Sequence, residues 1–162
     1  MKIQPIKTRV FRENENLLEF IFKYFKKIPE NSILVITSKI VALSEGRTVV
    51  CKNKKEKAEI IKAESSFAIK TKYTWLTIKD NTLMASSGVD ESNANGKIIL
   101  LPKNSFESAE FLRKQIIKKF HLKNLGILSS FKLLALFNTF STNSSGDTGI
   151  RCLYSCERTF IL

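Results

Sequence analysis

A loop between residues 85 and 97 carries the side chains best suited to chemistry. Asp90 and Asn93 lie three residues apart on it. They are flanked by Gly88 and Gly96, and glycine is a residue that creates turns. A carboxylate and an amide on such a loop can hold a metal ion and a polar ligand together. The same two side chains can instead make only local Asx turns, since Asp and Asn often hydrogen-bond their own backbone in loops. Their spacing leaves both interpretations open.

Two short apolar runs must position this loop and a second group of polar side chains. Lys97 to Leu101 is an apolar run closed by Pro102, which is typical of a buried strand. Ser32 to Ile36 is a run of the parallel-strand kind. Ser38 and Lys39 follow it, at the end where open α/β sheets bind their ligands. A hydroxyl and an ammonium there suit a phosphate, or they only begin a capped helix with a solvated lysine.

Amphipathic segments around these strands predict three helices. Their spacings of apolar residues give Asn16 to Lys27, with Asn14 or Asn16 as the cap, Lys54 to Ser66, and Ser105 to Phe120 with Ser105 as the cap. The predicted fold class is therefore α/β (mixed α+β), with a mixed sheet flanked by helices.

Further strands are predicted outside the two central runs. They are Met1 to Arg12 at a sheet edge, Thr48 to Cys51, and a hairpin of Tyr73 to Lys79 with Thr82 to Ala85, turning at Asp80-Asn81.

Composition bounds the class of protein. A chain of 162 residues, 43% hydrophobic and 26% charged, is enough for one globular domain with a core. No apolar run is long enough to cross a bilayer, and charged residues interrupt the N-terminus where a signal peptide would be apolar. We therefore expect a cytoplasmic protein with no membrane partner. The chain has three cysteines, which is an odd number, so we do not expect a framework of disulfide bonds.

The net charge of +12 predicts a positive surface potential. An anionic substrate and a nucleic acid are both compatible with it. The lysines are spread over most of the chain, no Arg/Lys stripe alternates with aromatic residues, and no nucleic-acid motif accompanies them. A basic nucleic-acid-binding protein thus stands only as an alternative that rests on charge.

Two long motifs resemble the signature of the coenzyme F420-0:L-glutamate ligase family, the gamma-glutamyl ligases that also include folate-type relatives. One runs from Gly88 to Pro102, and the other from Leu34 to Arg47. A shorter match is Thr8 to Glu13. The resemblance implies an F420 ligase-like domain at residues 1–126, followed by a divergent tail at residues 127–162.

The resemblance implies a reaction and a set of binding residues. The family joins L-glutamate to a carboxylate of an acidic acceptor, coenzyme F420-0 or a folate-like molecule, through an acyl phosphate made with GTP and Mn²⁺ or Mg²⁺. By resemblance Asp90 binds the metal, whereas Ser38, Lys39 and Asn93 bind the nucleotide. Residues 9–13 align with an N-terminal nucleotide contact, no catalytic residue is assigned, and a homodimer is implied.

The chain departs from the family pattern at three places. Leu43 stands where many relatives have a lysine, and Ser86-Ser87 replaces Asn-Ala. Ser129-Ser130 stands where an acidic pair would supply further metal ligands. These departures lead to the hypothesis of a frame disruption or truncation near Gly126, with an incomplete domain and impaired activity. The alternative is a non-catalytic remnant or dimerisation module of the family.

Overall fold

The computed structural model describes residues 2–91, 96–130 and 158–161. The helices are α1 (Leu17–Tyr24), α2 (Ser38–Ser44), α3 (Lys54–Ala63) and α4 (Ser105–Phe120), with a 3-10 turn at Ser86–Gly88. The strands are β1 (Lys2–Pro5), β2 (Ser32–Thr37), β3 (Thr48–Val50), β4 (Phe67–Lys70), β5 (Trp75–Lys79), β6 (Thr82–Ala85), β7 (Lys97–Ile99), β8 (Leu125–Ser130) and β9 (Arg158–Ile161).

The strands of the described part form three sheets. Four of them pair in the order β1-β9-β2-β8, and every neighbouring pair is parallel. β3 and β7 form an antiparallel ribbon, and β4, β5 and β6 form an antiparallel meander. The predicted α/β class is confirmed. The predicted mixture of parallel and antiparallel strands is present as well, and among the described residues the two kinds of pairing lie in separate sheets.

The core forms where β2 packs against α1 and α4. Leu34 and Ile36 of β2 are fully buried, as are Ile21 of α1 and Ile116 of α4. Alternate residues of a strand share a face, so Leu34 and Ile36 both point at these helices. Burying apolar surface is the main favourable term in folding, and this cluster therefore fixes the C-terminal end of β2, where the candidate site begins.

Helix α1 starts at the predicted cap and ends early. The Asn16 side chain accepts hydrogen bonds from the backbone N–H groups of Leu18 and Glu19, which satisfies donors that the first turn leaves unpaired. The helix ends at Tyr24 instead of the predicted Lys27. Phe25 takes an extended conformation and is buried, so burial of its ring replaces a further helical turn.

Helix α4 begins one residue earlier than its predicted cap implies. The N-cap is Asn104, whose side chain accepts hydrogen bonds from the N–H groups of Phe106 and Glu107, and Ser105 is already helical. The prediction of Ser105 as the cap was therefore wrong, whereas the predicted bounds of the helix, Ser105 to Phe120, are confirmed. At the other end His121 closes the helix at φ 54°, which is the left-handed conformation typical of a C-terminal cap.

Two predicted strands are shorter than expected. β1 ends at Pro5 and does not reach Arg12, because the following segment packs through side chains: Phe11 is buried in the core, and the Arg9 N–H donates to the Tyr24 hydroxyl. β5 begins at Trp75, since residues 71–74 close a hydrogen-bonded turn. β3, β7 and α3 differ from their predicted bounds only at their ends.

The predicted hairpin turn is confirmed. Asp80 and Asn81 have φ of 50° and 58°, which matches the turn that joins β5 to β6 with the correct twist.

Within the described residues, no helix combines the length and apolar character that a membrane span requires.

Candidate functional site

The site begins where β2 becomes α2. Thr37 is the last residue of β2, and Ser38 and Lys39 are the first two of α2. β8 ends at the same edge, because Thr37 lies opposite Ser130 in the parallel register. Ser38 is buried, whereas the Lys39 side chain is 27% exposed and can meet a ligand from solvent. The strand-end location predicted for Ser38 and Lys39 is confirmed; their role as ligands stays a prediction.

Asp90 is held by the backbone of β7. Its N–H donates to the Ile99 carbonyl at 2.9 Å, and its carbonyl accepts from the Ile99 N–H at 2.8 Å. Two bonds to one residue fix both the position and the direction of the Asp90 side chain.

The chain bends just before Asp90, and the bend lies at Gly88. The φ of Gly88 is +69°, in the left-handed region that favours glycine. A Cβ at this position would lie 2.6 Å from Cδ1 of Leu101, which is buried beside β7. The close approach of the two segments therefore requires the glycine of the motif.

Lys39 and Asp90 meet across the site. Lys39 Nζ lies 2.9 Å from Asp90 Oδ2, although the two residues belong to separate motifs. Both side chains are partly exposed, at 27% and 35%, and such an ion pair contributes about 1 kcal/mol or less to stability. Its opening therefore costs little, and the ammonium and carboxylate can exchange each other for a phosphate and a cation.

Two more ion pairs surround the loop. Glu91 Oε1 lies 2.8 Å from Lys57 Nζ, and Glu13 Oε2 lies 2.7 Å from Lys97 Nζ. Glu13 also accepts a short hydrogen bond from the Thr48 hydroxyl. The hydrogen bond from Lys97, followed by that from Thr48, lowers the pKa of the Glu13 carboxyl. These contacts join the N-terminal segment to β3 and β7.

The structure places Arg9 against α1. Arg9 Nη1 lies 2.9 Å from Glu15 Oε2, and its guanidinium lies 5.0 Å from the centre of the Phe20 ring. The hydrogen bond to Glu15 raises the pKa of Arg9 above its ordinary value. The resemblance implied a nucleotide contact for residues 9–13. In this segment Glu13 contacts Lys97 beside the loop, whereas Arg9 packs against α1.

A buried hydrogen-bond network supports the loop, and sequence reasoning missed it. The Ser87 N–H donates to Thr77 Oγ1 at 2.8 Å, and Ser87 Oγ donates to the Ile61 carbonyl at 2.9 Å. Ser87 is buried and itself has φ 52°. The only signal in the sequence is the replacement of Asn-Ala by Ser86-Ser87, which does not by itself indicate a hydrogen-bond network. It ties the loop to β5 and α3.

The other two departures lie in the core and at the strand end. Leu43 packs against the hydrophobic core, where its side chain is partly buried. Ser129 lies opposite Ile36, and its buried hydroxyl lacks a hydrogen-bond partner within the described part of the chain. The end of β8 therefore carries a buried hydroxyl at the position where the resemblance implied a carboxylate.

Asn93 lies outside the described residues, so the nucleotide contact predicted for it stays a prediction. Within the described ranges, no three His, Cys, Asp or Glu side chains cluster as metal ligands would. Asp90 by itself is a weak site for a free ion. It does fit an ion that arrives on phosphate oxygens, because Mg²⁺ commonly uses one or two protein carboxylates with phosphates and water.

The strand-to-helix junction that carries Lys39 beside the loop carboxylate of Asp90 lies at the carboxyl end of a parallel strand, which is where open α/β sheets bind their ligands. The sequence model of one family, described as F420-0:Gamma-glutamyl ligase, matches residues 5–130, and the chain belongs to this family. A curated relative is the coenzyme F420:L-glutamate ligase of Methanocaldococcus jannaschii, with 32% identity over 142 residues. That alignment covers 73% of this chain and 53% of the relative. The chain therefore spans about half the length of the relative that it matches.

Proposed function

We propose that the chain acts as a gamma-glutamyl ligase, which joins L-glutamate to a carboxylate of an acidic acceptor such as coenzyme F420-0 or a folate-like molecule. Membership of the family supports the class of reaction. The observation that supports it in this chain is the pairing of Lys39 with Asp90 at the end of β2. The two motifs that resemble the family signature meet at this pair.

In this proposal Lys39 and Ser38 receive the phosphates of a nucleoside triphosphate, GTP by resemblance. An ammonium is a compact point charge that suits a phosphate, and partial exposure leaves it reachable. Ser38 adds a hydroxyl from the first residue of α2. The phosphoryl group passes to the acceptor's carboxylate, and the amine of glutamate then displaces phosphate as the amide bond forms. The chain's contribution is to hold these groups in line.

Asp90 would hold a divalent ion, Mn²⁺ or Mg²⁺, that comes with the nucleotide. Bound there, the ion would neutralise charge on the phosphates. The fixed backbone of Asp90 keeps its carboxylate in place without help from a ligand. The ion pair between Lys39 and Asp90 is partly exposed, so a nucleotide that arrives with its ion can replace it. Lys39 then pairs with a phosphate, and Asp90 pairs with the divalent ion.

The test is ligation of labelled L-glutamate to coenzyme F420-0 by the full chain with GTP and Mn²⁺. Asp90→Asn and Lys39→Met should each lower the rate about 100-fold, as loss of a charged group at a phosphoryl-transfer site does. Matched controls are Glu91→Gln and Lys57→Met, which break the neighbouring ion pair and should stay within about twofold. Equal losses in the test and control variants would contradict the assignment.

A second candidate function is a non-catalytic member of the family. The hydroxyl of Ser129 at the end of β8, in place of a carboxylate, is the observation that favours it. This candidate predicts that GTP with Mn²⁺ leaves the melting temperature unchanged. The ligase predicts an increase, because a ligand that binds only the folded state stabilises it.

A further inference from the structure

Arg47 ends the motif that begins at Leu34, and its backbone closes helix α2. Its N–H donates to the Ala42 carbonyl at 2.9 Å, and the Gly46 N–H donates to the Leu43 carbonyl at 3.2 Å. Gly46 has φ +64°. This pair of bonds is the Schellman motif, which ends a helix at a left-handed glycine. Because Ala42 is fully buried, the helix that carries the lysine of the candidate site ends in a fixed place beside Arg47.

The guanidinium of Arg47 reaches the other motif. Nε donates to the Leu101 carbonyl at 3.1 Å, and Nη2 donates to Glu64 Oε2 at 2.6 Å. The Arg47 carbonyl also accepts the Leu100 N–H at 2.9 Å. Leu100 and Leu101 are both buried, and buried main-chain groups need partners. These bonds therefore hold Arg47 against the segment that follows β7.

The segment that Arg47 binds also supports the loop of Asp90. Ile99 immediately precedes this segment and exchanges two backbone hydrogen bonds with Asp90. The Leu101 side chain packs against Gly88 so closely that a Cβ on the glycine would lie 2.6 Å from Leu101 Cδ1. Arg47 therefore contacts α2 on one side and, by two short routes, the loop of Asp90 on the other.

We propose that Arg47 is a positioning residue for the pair of Lys39 and Asp90. Because it joins the end of α2 to the segment that supports the loop, it sets the separation of the ammonium and the carboxylate, which is 2.9 Å. This inference rests on the proposed function, in which the ammonium receives phosphates and the carboxylate receives the divalent ion. A displacement of about 1 Å at such a site can lower the rate about 100-fold.

A guanidinium suits this role better than an ammonium. Its planar fork presents donors in fixed directions, so one side chain binds the Leu101 carbonyl and the Glu64 carboxylate together. A lysine keeps the charge, but it must bind both acceptors from one nitrogen or lose one of them. In either case the geometry of the fork is lost. Arg47→Lys should therefore loosen the connection between α2 and the loop without changing the net charge.

Arg113 offers a matched control at the opposite end of the sheet. Its Nε donates to the Leu125 carbonyl at 2.8 Å, which is the same kind of bond that Arg47 makes with Leu101. Leu125 is the first residue of β8 and lies opposite Ser32, whereas the candidate site lies where β2 and β8 end. Arg113→Lys therefore makes the same substitution in the same kind of bond, away from the site.

The first experiment needs no nucleotide and is a double-mutant cycle in urea. Lys39→Met and Asp90→Asn, made singly and together, measure the coupling within the ion pair. The coupling should be about two- to fivefold in the unfolding equilibrium constant, as for other partly exposed ion pairs. Arg47→Lys should abolish it, and Arg113→Lys should retain it. No coupling in the wild type, or coupling that Arg47→Lys leaves unchanged, would overturn the inference.

Calorimetric titration of GTP with and without Mn²⁺ tests the consequence for ligands. Mn²⁺ should raise the affinity of the wild type for GTP at least tenfold, and Arg47→Lys should lower this factor to less than about threefold. Arg113→Lys should keep the full factor. Glu64→Gln is a control for lost stability, because both of its cationic partners bind Oε2 and an amide oxygen can still accept from them. Equal factors in Arg47→Lys and the controls would overturn the inference.

The two experiments separate failure of this inference from failure of the proposed function. If Mn²⁺ does not change GTP binding by the wild type, the ligase proposal fails, while the urea cycle still decides whether Arg47 positions the pair. Circular dichroism checks the fold of each variant first. If Arg47→Lys does not fold, Arg47→Met takes its place: it keeps an apolar stem, introduces no unpaired ammonium, and should abolish the coupling in the same way.

Discussion

Replacing Gly88 with alanine tests whether the bend before Asp90 is as tightly built as the structure indicates. The residue has φ +69°, and a Cβ would lie 2.6 Å from Cδ1 and 2.7 Å from Cγ of Leu101. Leu101 is 7% exposed, so it has little room to withdraw. The change therefore combines backbone strain with a steric clash.

The two terms can be given separate magnitudes. A non-glycine residue in the left-handed region costs about 1–2 kcal/mol. Overpacking a filled site costs about 1–3 kcal/mol more. Alanine also restricts the unfolded chain, which returns about 0.4–1 kcal/mol. The expected loss of unfolding free energy for Gly88→Ala is therefore about 3 kcal/mol, within a range of about 1–5 kcal/mol.

Gly96→Ala is the matched control. Its φ is +81°, and no atom of the described residues lies within 4 Å of the position that a Cβ would take. It shares the backbone strain and lacks the clash, so it should cost about 1 kcal/mol.

Urea unfolding followed by circular dichroism measures both losses, since unfolding free energy falls linearly with denaturant. Leu101→Ala in the Gly88→Ala background should recover about 1–3 kcal/mol as a coupling energy, because it removes the clashing side chain. Equal losses for the two glycine variants, or no coupling with Leu101, would refute the reasoning.

Three further predictions concern residues that hold the sheet and helix ends. Glu64→Gln should cost about 1–3 kcal/mol at neutral pH. Burial raises the pKa of Glu64, but hydrogen bonds from Lys79 and Arg47 outweigh burial, and the net effect is a lowered pKa. The ion pairs therefore stabilise the fold above pH ~4.3, and this stability is lost as the pH falls through the lowered pKa of the folded state. The acid unfolding curve of Glu64→Gln should lack this loss. Thr77→Val should cost about 1–3 kcal/mol in urea, because it leaves the buried Ser87 N–H unpaired. Asn104→Ala should cost about 1 kcal/mol in thermal unfolding, because it removes the cap of α4.

Each of these variants has a control close to it in the chain. Glu59→Gln changes an exposed carboxylate on the same helix, and Thr82→Val changes an exposed threonine in the same sheet. Ser105→Ala changes the residue next to the cap. These three should alter stability by no more than about 0.5 kcal/mol. A loss for Ser105→Ala that matches the loss for Asn104→Ala would contradict the cap seen in the structure.

Local sequence patterns predicted the helices, strands and turns better than they predicted the contacts between distant residues. The apolar run of β2 and the turn at Asp80-Asn81 are set by neighbours in sequence, and both were confirmed. The cap of α4 was misplaced because Asn104 and Ser105 are both good caps. Distant contacts separate them: Glu45 accepts hydrogen bonds from the Lys103 N–H and the Ser108 hydroxyl, and so fixes where the helix starts.

The face that a strand buries was beyond the sequence pattern. The alternation in β5 indicates a strand, but the usual expectation places its apolar residues inward. Here Thr77 and Lys79 are buried, because Ser87 and Glu64 supply partners from remote parts of the chain. Likewise, spacing left the role of Asp90 open between a turn and a ligand. Its contact with Lys39 became visible only when the strands were assembled.

The most direct test of the account is a calorimetric titration of GTP into the protein with and without Mn²⁺. If Asp90 holds an ion that arrives on the phosphates, Mn²⁺ should raise the affinity for GTP at least tenfold, and by linkage GTP should raise the affinity for Mn²⁺ equally. Asp90→Asn should abolish this coupling, whereas Glu91→Gln should retain it. Coupling that survives Asp90→Asn, or GTP binding that Mn²⁺ does not change, would contradict the proposed site.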